Sequence, residues 1–514
     1  MATNVAEVLV PGKVQKPPSG WCQTGAGRGI LALRSMKISR RQFVALAGTA
    51  AAAAAAPPPP PNIVFILIDD YGWTDTSFNG SKFYETPNID RLAQSGMVFT
   101  NGYSASPVCS PTRAALMTGK YPARLHLTSH LQGASNRRYY TKVLQPDTRL
   151  ALPLEEVTIA ELLRRRGYRT ACIGKWHLGK TGFLPADQGF DVSIGGDEAG
   201  STNDFFFPAW KKKIPLDDAQ PGDYLTDRLT DLAVGFIRDK ASRPFFLYLP
   251  HFAVHTPIQG KPEKVRKYDA KARAEDAQNY GEYAAMVESM DESVGRVMAA
   301  LEQAGVAGNT MVVFTADNGG VTSLEWKKRP VTSNLPLRLG KGHLYEGGIR
   351  VPTIVRLPGV TKAGSRCDTP VVTYDYAPTM AQVAGVEPRA TAGMDGRSIL
   401  PLLQGRRAKR EREHFWHYPH YSPQLGRPSA AIRRGDDKLI LFFEDQRVEL
   451  YDLAKDIGEK QDLAVAQPAK AAALRKRLEE WLRETGAQIP QVTAQYDPTR
   501  EREVGPAHGP TTAK

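Results

Sequence analysis

Two short apolar runs in the chain end in groups that could hold a cation. Asn62-Ile-Val-Phe-Ile-Leu-Ile-Asp69-Asp70-Tyr71-Gly72 closes on two acids and a glycine, and Met311-Val-Val-Phe-Thr-Ala-Asp317-Asn318-Gly319-Gly320 closes on an acid, an amide and two glycines. Together they offer three carboxylates and one amide oxygen. Hard oxygen donors without Cys or His neighbours suit Ca2+ or Mg2+ rather than zinc, and calcium is the expectation. A turn with a helix cap is the commoner meaning of any one Asp-Asp pair. Two acidic strand ends with Cys109-Ser110-Pro111-Thr112-Arg113 between them in the sequence favour a site instead. A single cysteine is by itself more often a small buried hydrophobe than a nucleophile.

Three further segments add cations and imidazoles. In Gly167-Tyr-Arg-Thr-Ala-Cys172-Ile-Gly174-Lys175-Trp176-His177 a strand runs into a loop where Lys175 and His177 flank a tryptophan, so both can point to one side. Phe245-Phe-Leu-Tyr-Leu-Pro250-His251-Phe-Ala-Val-His255 is another apolar run, ending in two histidines. Leu339-Gly340-Lys341-Gly342-His343-Leu-Tyr-Glu346-Gly-Gly-Ile-Arg350 is a glycine-rich loop ahead of the strand Thr353-Ile-Val-Arg-Leu357. A lone lysine or histidine in a loop is usually only solvated. These gain meaning by recurring after strands of one sheet.

The elements that must position these groups alternate along the chain. Strands are expected near 62–69, 170–174, 245–249, 311–316 and 351–357, with the clearest helices starting at Val157 and spanning about 275–305. Such alternation predicts an α/β fold, a largely parallel sheet covered by helices on both faces, with its chemistry at the carboxyl ends of the strands. Asp375-Tyr-Ala-Pro-Thr-Met opens a helix ending near Gly385, after which composition changes. The segments from Ala431 and from Val448 read as antiparallel strands, and Ala471 to Thr485 as a closing amphipathic helix, making a small α+β C-terminal subdomain. His414-Phe-Trp-His417-Tyr-Pro-His420-Tyr421 reads equally as a pocket mouth, with Asn136-Arg137-Arg138-Tyr139-Tyr140, or as a packing seam. The expected divisions are a catalytic domain at 61–385, the subdomain at 386–490 and a polar tail at 491–514.

The motifs together resemble the sulfatase family, in the group of arylsulfatase A and the N-acetylgalactosamine sulfatases, over roughly residues 61–490. The resemblance implies the alkaline-phosphatase-like fold, and it implies that Cys109 is oxidised after synthesis to formylglycine (3-oxoalanine), whose hydrate is the nucleophile. By the same resemblance Asp69, Asp70, Asp317, Asn318 and modified Cys109 hold one Ca2+, with Mg2+ the lesser expectation. Arg113 stabilises the hydrate, Lys175 and Lys341 hold sulfate oxygens, His255 protonates the leaving oxygen, and His177 deprotonates the second hydroxyl. The last loop departs from the family pattern with Leu339 before Gly340 and with His343 two places after Lys341, so His343 is expected to contact substrate. Similarity to bacterial polysaccharide sulfatases implies a sulfated galactose or N-acetylgalactosamine residue, with aryl sulfates as accessory substrates, and a formylglycine-generating enzyme as maturation partner. Two alternatives stay open: a phosphonate or phosphate ester hydrolase of the same fold, and a noncatalytic sulfoglycan-binding protein in which Cys109 stays unmodified.

The remaining sequence bears on compartment and charge. Ser39-Arg40-Arg41-Gln42-Phe43-Val44 before an alanine-rich stretch and the run Pro57 to Pro61 reads as a Tat export signal over 36–60, implying a periplasmic or secreted enzyme that uses the Tat machinery. Residues 1–35 read as an extension from a misassigned start. Of the net charge of +13, seven Lys and Arg against one Glu in residues 1–56 account for a large share and leave +7. A modest positive field suits a polyanionic sulfated glycan. No zinc-finger or helix-turn-helix pattern points to nucleic acid, and no run of 18 apolar residues marks a membrane span. Cys172 and Cys367 are expected to be independent thiols.

Overall fold

The structure is a computed structural model that describes residues 59–131, 140–211, 217–239, 243–323, 329–406 and 412–501. Residues 1–58 of the expected leader and export segment, residues 136–139 of the pocket-mouth reading and the end of the polar tail lie outside the described residues.

Eight strands form the central sheet: β1 (Asn62–Ile68), β2 (Met97–Phe99), β3 (Arg169–Ile173), β4 (Val192–Ile194), β5 (Phe245–Pro250), β6 (Thr310–Ala316), β7 (Ile354–Arg356) and β8 (Ser365–Cys367). Their spatial order is β8-β2-β7-β6-β1-β5-β3-β4. All neighbours are parallel except β7, which runs antiparallel to both β2 and β6. The β1, β5 and β6 runs are almost wholly apolar because both faces are covered. Val64, Ile66 and Ile68 pack with Leu247, Leu249, Val312 and Phe314 under α1 (Pro87–Ser95), α4 (Leu225–Arg238) and α5 (Gly281–Gln303). On the other face Ile63, Phe65 and Leu67 pack with Phe246, Tyr248, Met311 and Val313 under α2 (Cys109–Thr118), α3 (Ile159–Arg165) and α7 (Tyr376–Val383). Each such fully buried side chain contributes about 1.5–3 kcal/mol, so the strands at the centre are held most firmly.

Register then carries the acidic ends to one edge. Ile68 lies opposite Ala316, so Asp69 and Asp317 leave the sheet side by side. Leu67 lies opposite Pro250, and Lys175 N–H donates to Pro250 O at 2.8 Å, which brings the β3 and β5 loops to the same level.

The C-terminal subdomain is a four-stranded antiparallel sheet in chain order: β9 (Glu413–Tyr418), β10 (Ser429–Arg434), β11 (Asp437–Phe442) and β12 (Val448–Asp452). The Ala431 segment is thus not one strand: Gly435, at φ 59°, turns it into a tight hairpin of β10 and β11. One face buries Phe415, Leu439, Leu441 and Leu450 against Leu474, Leu478 and Trp481 of α8 (Pro468–Glu484). The other face, with Trp416, Tyr418, Ile440 and Phe442, packs against Tyr103, Val108 and Ala115 around the start of α2. Trp416 Nε1 donates to Ser104 O at 2.8 Å, and His420 Nε2 meets Thr128 Oγ1 at 2.8 Å. Of the two readings of His414 to Tyr421, these contacts describe a packing seam.

Cys172 and Cys367 are both free thiols, the first fully buried. Among the described residues no helix is long and apolar enough to cross a membrane.

Candidate active site

Cys109 opens α2, and its neighbours explain the five-residue motif. Thr112 Oγ1 accepts from Ser106 N–H at 3.0 Å and so fixes the approach to the helix. Pro111 stands in the first turn, where a backbone N–H would have no helical acceptor. Arg113, four residues after Cys109, lies on the same helix face. Its guanidinium is fully buried: Nε and Nη2 donate to Asp317 Oδ2 at 2.9 and 2.7 Å, and Nη1 to the Lys175 carbonyl at 2.8 Å. Nη2 also lies 3.8 Å from Asp69 Oδ1. Arg113 therefore bolts the helix carrying Cys109 to the ends of β6 and β3.

Ligand atoms of Asp69, Cys109 and Asp317 lie within 4.8 Å of one another, and so do those of Asp69, Asp70 and His255. Asp70, at φ 58°, accepts from Asn318 Nδ2 at 2.8 Å, and its N–H donates to Asp317 Oδ1 at 3.2 Å. Two oxygens in this cluster, Asp69 Oδ1 and Asn318 Oδ1, are buried without a hydrogen bond. Burial and the Asp317 and Asp70 charges push the Asp69 carboxyl well above its usual range, against Lys175 and Arg113. Crowded carboxylates, orphaned oxygens and a mainly oxygen donor set beside one cysteine, with His255 at its margin, fit a hard divalent cation, as the strand ends led us to expect.

Cations rim the carboxylates. Lys175 Nζ binds Asp69 Oδ2, and Lys341 Nζ lies 2.7 Å from Asp70 Oδ2; both ammonium groups are buried. Burial would raise the Asp70 pKa, but Lys341, His255 and Lys175 outweigh it and hold the carboxyl low. His255 places Nε2 3.5 Å from Asp70 Oδ2 and Nδ1 2.7 Å from Thr256 O, so Nδ1 carries the hydrogen and Nε2 faces the site. Burial, with Lys341 and Lys175, lowers its pKa to about 3, Asp70 opposing. His177, at φ 58° and buried, is anchored by its N–H to Asp197 O at 2.8 Å. Its ring is held neutral by burial and by the charges of Lys175 and Arg113. Burial pushes the Cys109 thiol up despite both lysines, so the unmodified residue is a poor thiolate. His343 stands apart: its Nε2 meets Gln424 O at 3.0 Å, which commits that nitrogen to the C-terminal seam.

One residue here carried no sequence signal. His130, a lone histidine in a loop, senses the charges of Lys341, Lys175 and Asp70, and burial with the two lysines lowers its pKa to about 4. The loop is pinned by Thr128 to His420 and by the N–H groups of Thr128 and Ser129 to Thr148 Oγ1 at 3.0 and 3.2 Å.

A buried cysteine at a helix start, a carboxylate cluster that fits a divalent cation and two flanking lysines at the ends of parallel strands fit a hydrolase acting on an anionic ester. A family profile described as Sulfatase matches residues 61–386, and one described as N-sulphoglucosamine sulphohydrolase, C-terminal, matches residues 339–488. A "Sulfatase" from Formosa agariphila is 35% identical over 497 residues, covering 82% of this chain and 88% of the relative. Human "Arylsulfatase A" is 34% identical over 466 residues, covering 81% and 86%. The solved structure "Ps i-CgsB in complex with k-i-k-neocarrahexaose" is 31% identical with a TM-score of 0.69, covering 82% of this chain and 93% of that one. The chain belongs to the sulfatase family and is a sulfuric ester hydrolase with the alkaline-phosphatase-like sulfatase fold.

Proposed function

We propose that the enzyme removes sulfate from sulfated galactose or N-acetylgalactosamine residues of polysaccharides, with Cys109 matured to formylglycine and one Ca2+ in the acidic cluster. The observation that carries the reaction is the convergence of Cys109, Asp69 and Asp317 within 4.8 Å, with Lys175 and Lys341 on the rim. The carbohydrate assignment is supported by the neocarrahexaose in the similar solved structure and by the N-acetylgalactosamine-6-sulfatase relative from Sus scrofa, 31% identical over 455 residues.

When present, the formylglycine hydrate supplies an attacking oxygen and a second hydroxyl through which sulfate is expelled. Asp69, Asp70, Asp317 and Asn318 would hold the Ca2+, whose chemistry is Lewis-acid polarisation of a sulfate oxygen. The chain's own groups do the rest. Lys175 and Lys341 present fixed positive charge to the nonbridging oxygens without reorganisation, an effect worth about 10²–10³ in rate for each such group. Arg113 keeps the nucleophile's helix in line with the strand ends. His255 Nε2 gives a proton to the leaving sugar oxygen, and neutral His177 takes one from the second hydroxyl.

Sulfate release from a panel of position-defined sulfated galactose and N-acetylgalactosamine saccharides tests this, with Cys109→Ala as blank and a formylglycine-generating enzyme coexpressed. Release from one position, absent in the blank, is the expected result. Cleavage of nitrophenyl sulfate alone would remove the carbohydrate assignment. Preference for phosphate or phosphonate esters would favour the alternative chemistry, whose similar solved structure, a phosphonate monoester hydrolase at 20% identity and TM-score 0.58, shares the fold. Export through the Tat pathway to the periplasm or beyond is part of the same proposal, resting on Arg40-Arg41 and the segment after them.

A further inference from the structure

The face that the C-terminal sheet turns toward the catalytic domain combines apolar side chains with buried polar ones, among them Arg433, Glu449 and Lys438. Ile440 and Phe442 of β11 belong to the seam, and Lys438, two residues before Ile440, shares their face. Its ammonium is fully buried, with Nζ 2.8 Å from Glu346 Oε1 and 2.8 Å from Glu459 Oε1, both carboxylates also inaccessible to solvent. Glu346 opens the short helix α6 (Glu346–Ile349) directly after the Lys341 loop. Its other oxygen accepts from Tyr103 OH at 2.7 Å and lies 3.3 Å from Arg350 Nη1, and its N–H donates to Glu459 Oε2 at 2.7 Å. Arg338, at the start of the loop, donates to Glu459 O at 2.9 Å.

That cluster sits behind the backbone that carries Lys341. Gly347 N–H donates to Arg338 O at 3.0 Å, Lys341 N–H to Gly320 O at 3.1 Å and Gly342 N–H to Pro107 O at 2.9 Å. Gly319 N–H donates to Gly348 O at 3.0 Å, and a side chain at Gly319 would meet Gly347 O at 1.8 Å. The end of β6, the lysine loop and the Glu346 turn are thus stacked backbone on backbone, with the Cys109 approach on one side and Lys438 behind.

We propose that the C-terminal subdomain sets the position of Lys341 through Lys438, with Glu346 and Glu459 as its two contacts on the loop, so that these three are positioning residues for the reaction. Burying the charges of Lys438 and Glu346 costs desolvation that apolar side chains would not. A seam needed only for cohesion is already provided by Trp416, Ile440 and Phe442. What the charges add is direction: Lys438 ties the side chain of Glu346 and Glu459 ties its N–H, fixing the turn from which the loop springs. The inference rests on Lys341 acting as a sulfate-holding cation.

A double-mutant cycle on kcat/KM for nitrophenyl sulfate, with melting of each variant, tests it. Lys438→Met should lower kcat/KM by about tenfold or more, as expected when a catalytic group is misplaced. In a Lys341→Ala background the same substitution should change kcat/KM by less than about twofold, because the group being positioned is gone. An equal loss in both backgrounds would make Lys438 merely structural and overturn the proposal, as would wild-type kcat/KM in Lys438→Met. Should Lys438→Met fail to melt cooperatively, Glu459→Gln, which keeps an acceptor for Glu346 N–H, enters the same cycle with the same criteria. Wild-type kcat/KM in Lys341→Ala alone would remove both the lysine's role and this inference, while wild-type turnover itself reports on the sulfatase chemistry separately.

Discussion

The sharpest prediction concerns His255 and the basicity of the leaving group. Because Nδ1 is committed to Thr256 O at 2.7 Å, only Nε2 can exchange a proton with substrate, and the side chain is 15% exposed, enough to be reached from the entrance. In the free site burial and two lysines hold the ring near pKa 3. The sulfate's negative charge must offset Lys341 and Lys175 before Nε2 holds a proton, which ties protonation to substrate binding. A positioned acid is worth about 10²–10⁴ in rate, or roughly 3–5 kcal/mol. A sugar alkoxide needs that proton, whereas nitrophenolate departs as a stable anion. His255→Ala should therefore lower kcat on a sulfated saccharide by at least about 100-fold and on nitrophenyl sulfate by less than about tenfold. Steady-state kinetics on both substrates with one enzyme preparation decides it. Equal losses on the two would show that His255 serves binding or structure and refute its role as acid.

Other outcomes follow from the same geometry. Burial, with Lys438 opposing and the Glu346 charge adding, pushes Glu459 from 4.5 to about 7. A carboxyl raised on folding favours the folded state while protonated, so this contribution is present below pH 4.5 and lost as pH rises through about 7. Relative to wild type, Glu459→Gln should gain melting temperature between about pH 5 and pH 8, and a flat difference would contradict the assignment. Chelating divalent ions should lower the melting temperature by leaving Asp69, Asp70 and Asp317 mutually repelling, with Ca2+ restoring it better than Mg2+; insensitivity to chelator would remove the metal site. Trp481 is 3% exposed and stacks on Phe415 at 4.8 Å and 5°. Trp481→Ala should cost about 3–5 kcal/mol in denaturant unfolding, and a loss under about 1 kcal/mol would mean α8 contributes little.

Much of the site was legible because its residues follow apolar strands whose burial is written in their composition. β1 and β6 end where the acids begin, so sequence alone placed Asp69, Asp70, Asp317 and Asn318 on one sheet edge, and the Ile68 to Ala316 register brings the two ends together. Arg113 was legible as a motif residue, but its hold on Asp317 and on the Lys175 carbonyl depends on tertiary docking. The antiparallel β7 gave no sign of its direction, since a run as short as Ile354-Val-Arg356 reads alike both ways. Gly435 hid a hairpin inside what looked like one strand, because a single glycine does not announce a turn. His130 and Lys438 were invisible for one reason: each matters through partners that lie far away in the sequence, Lys341 for the first and Glu346 for the second.

The central claim is that Cys109 acts after conversion rather than as a thiol, in keeping with its buried, unactivated sulfur. The direct measurement is the mass of the Cys109 peptide in preparations made with graded levels of a formylglycine-generating enzyme, set against sulfatase turnover in each. The account predicts a peptide lighter than the thiol form, in a fraction to which turnover is proportional. Full turnover from protein whose Cys109 is entirely unmodified would contradict it.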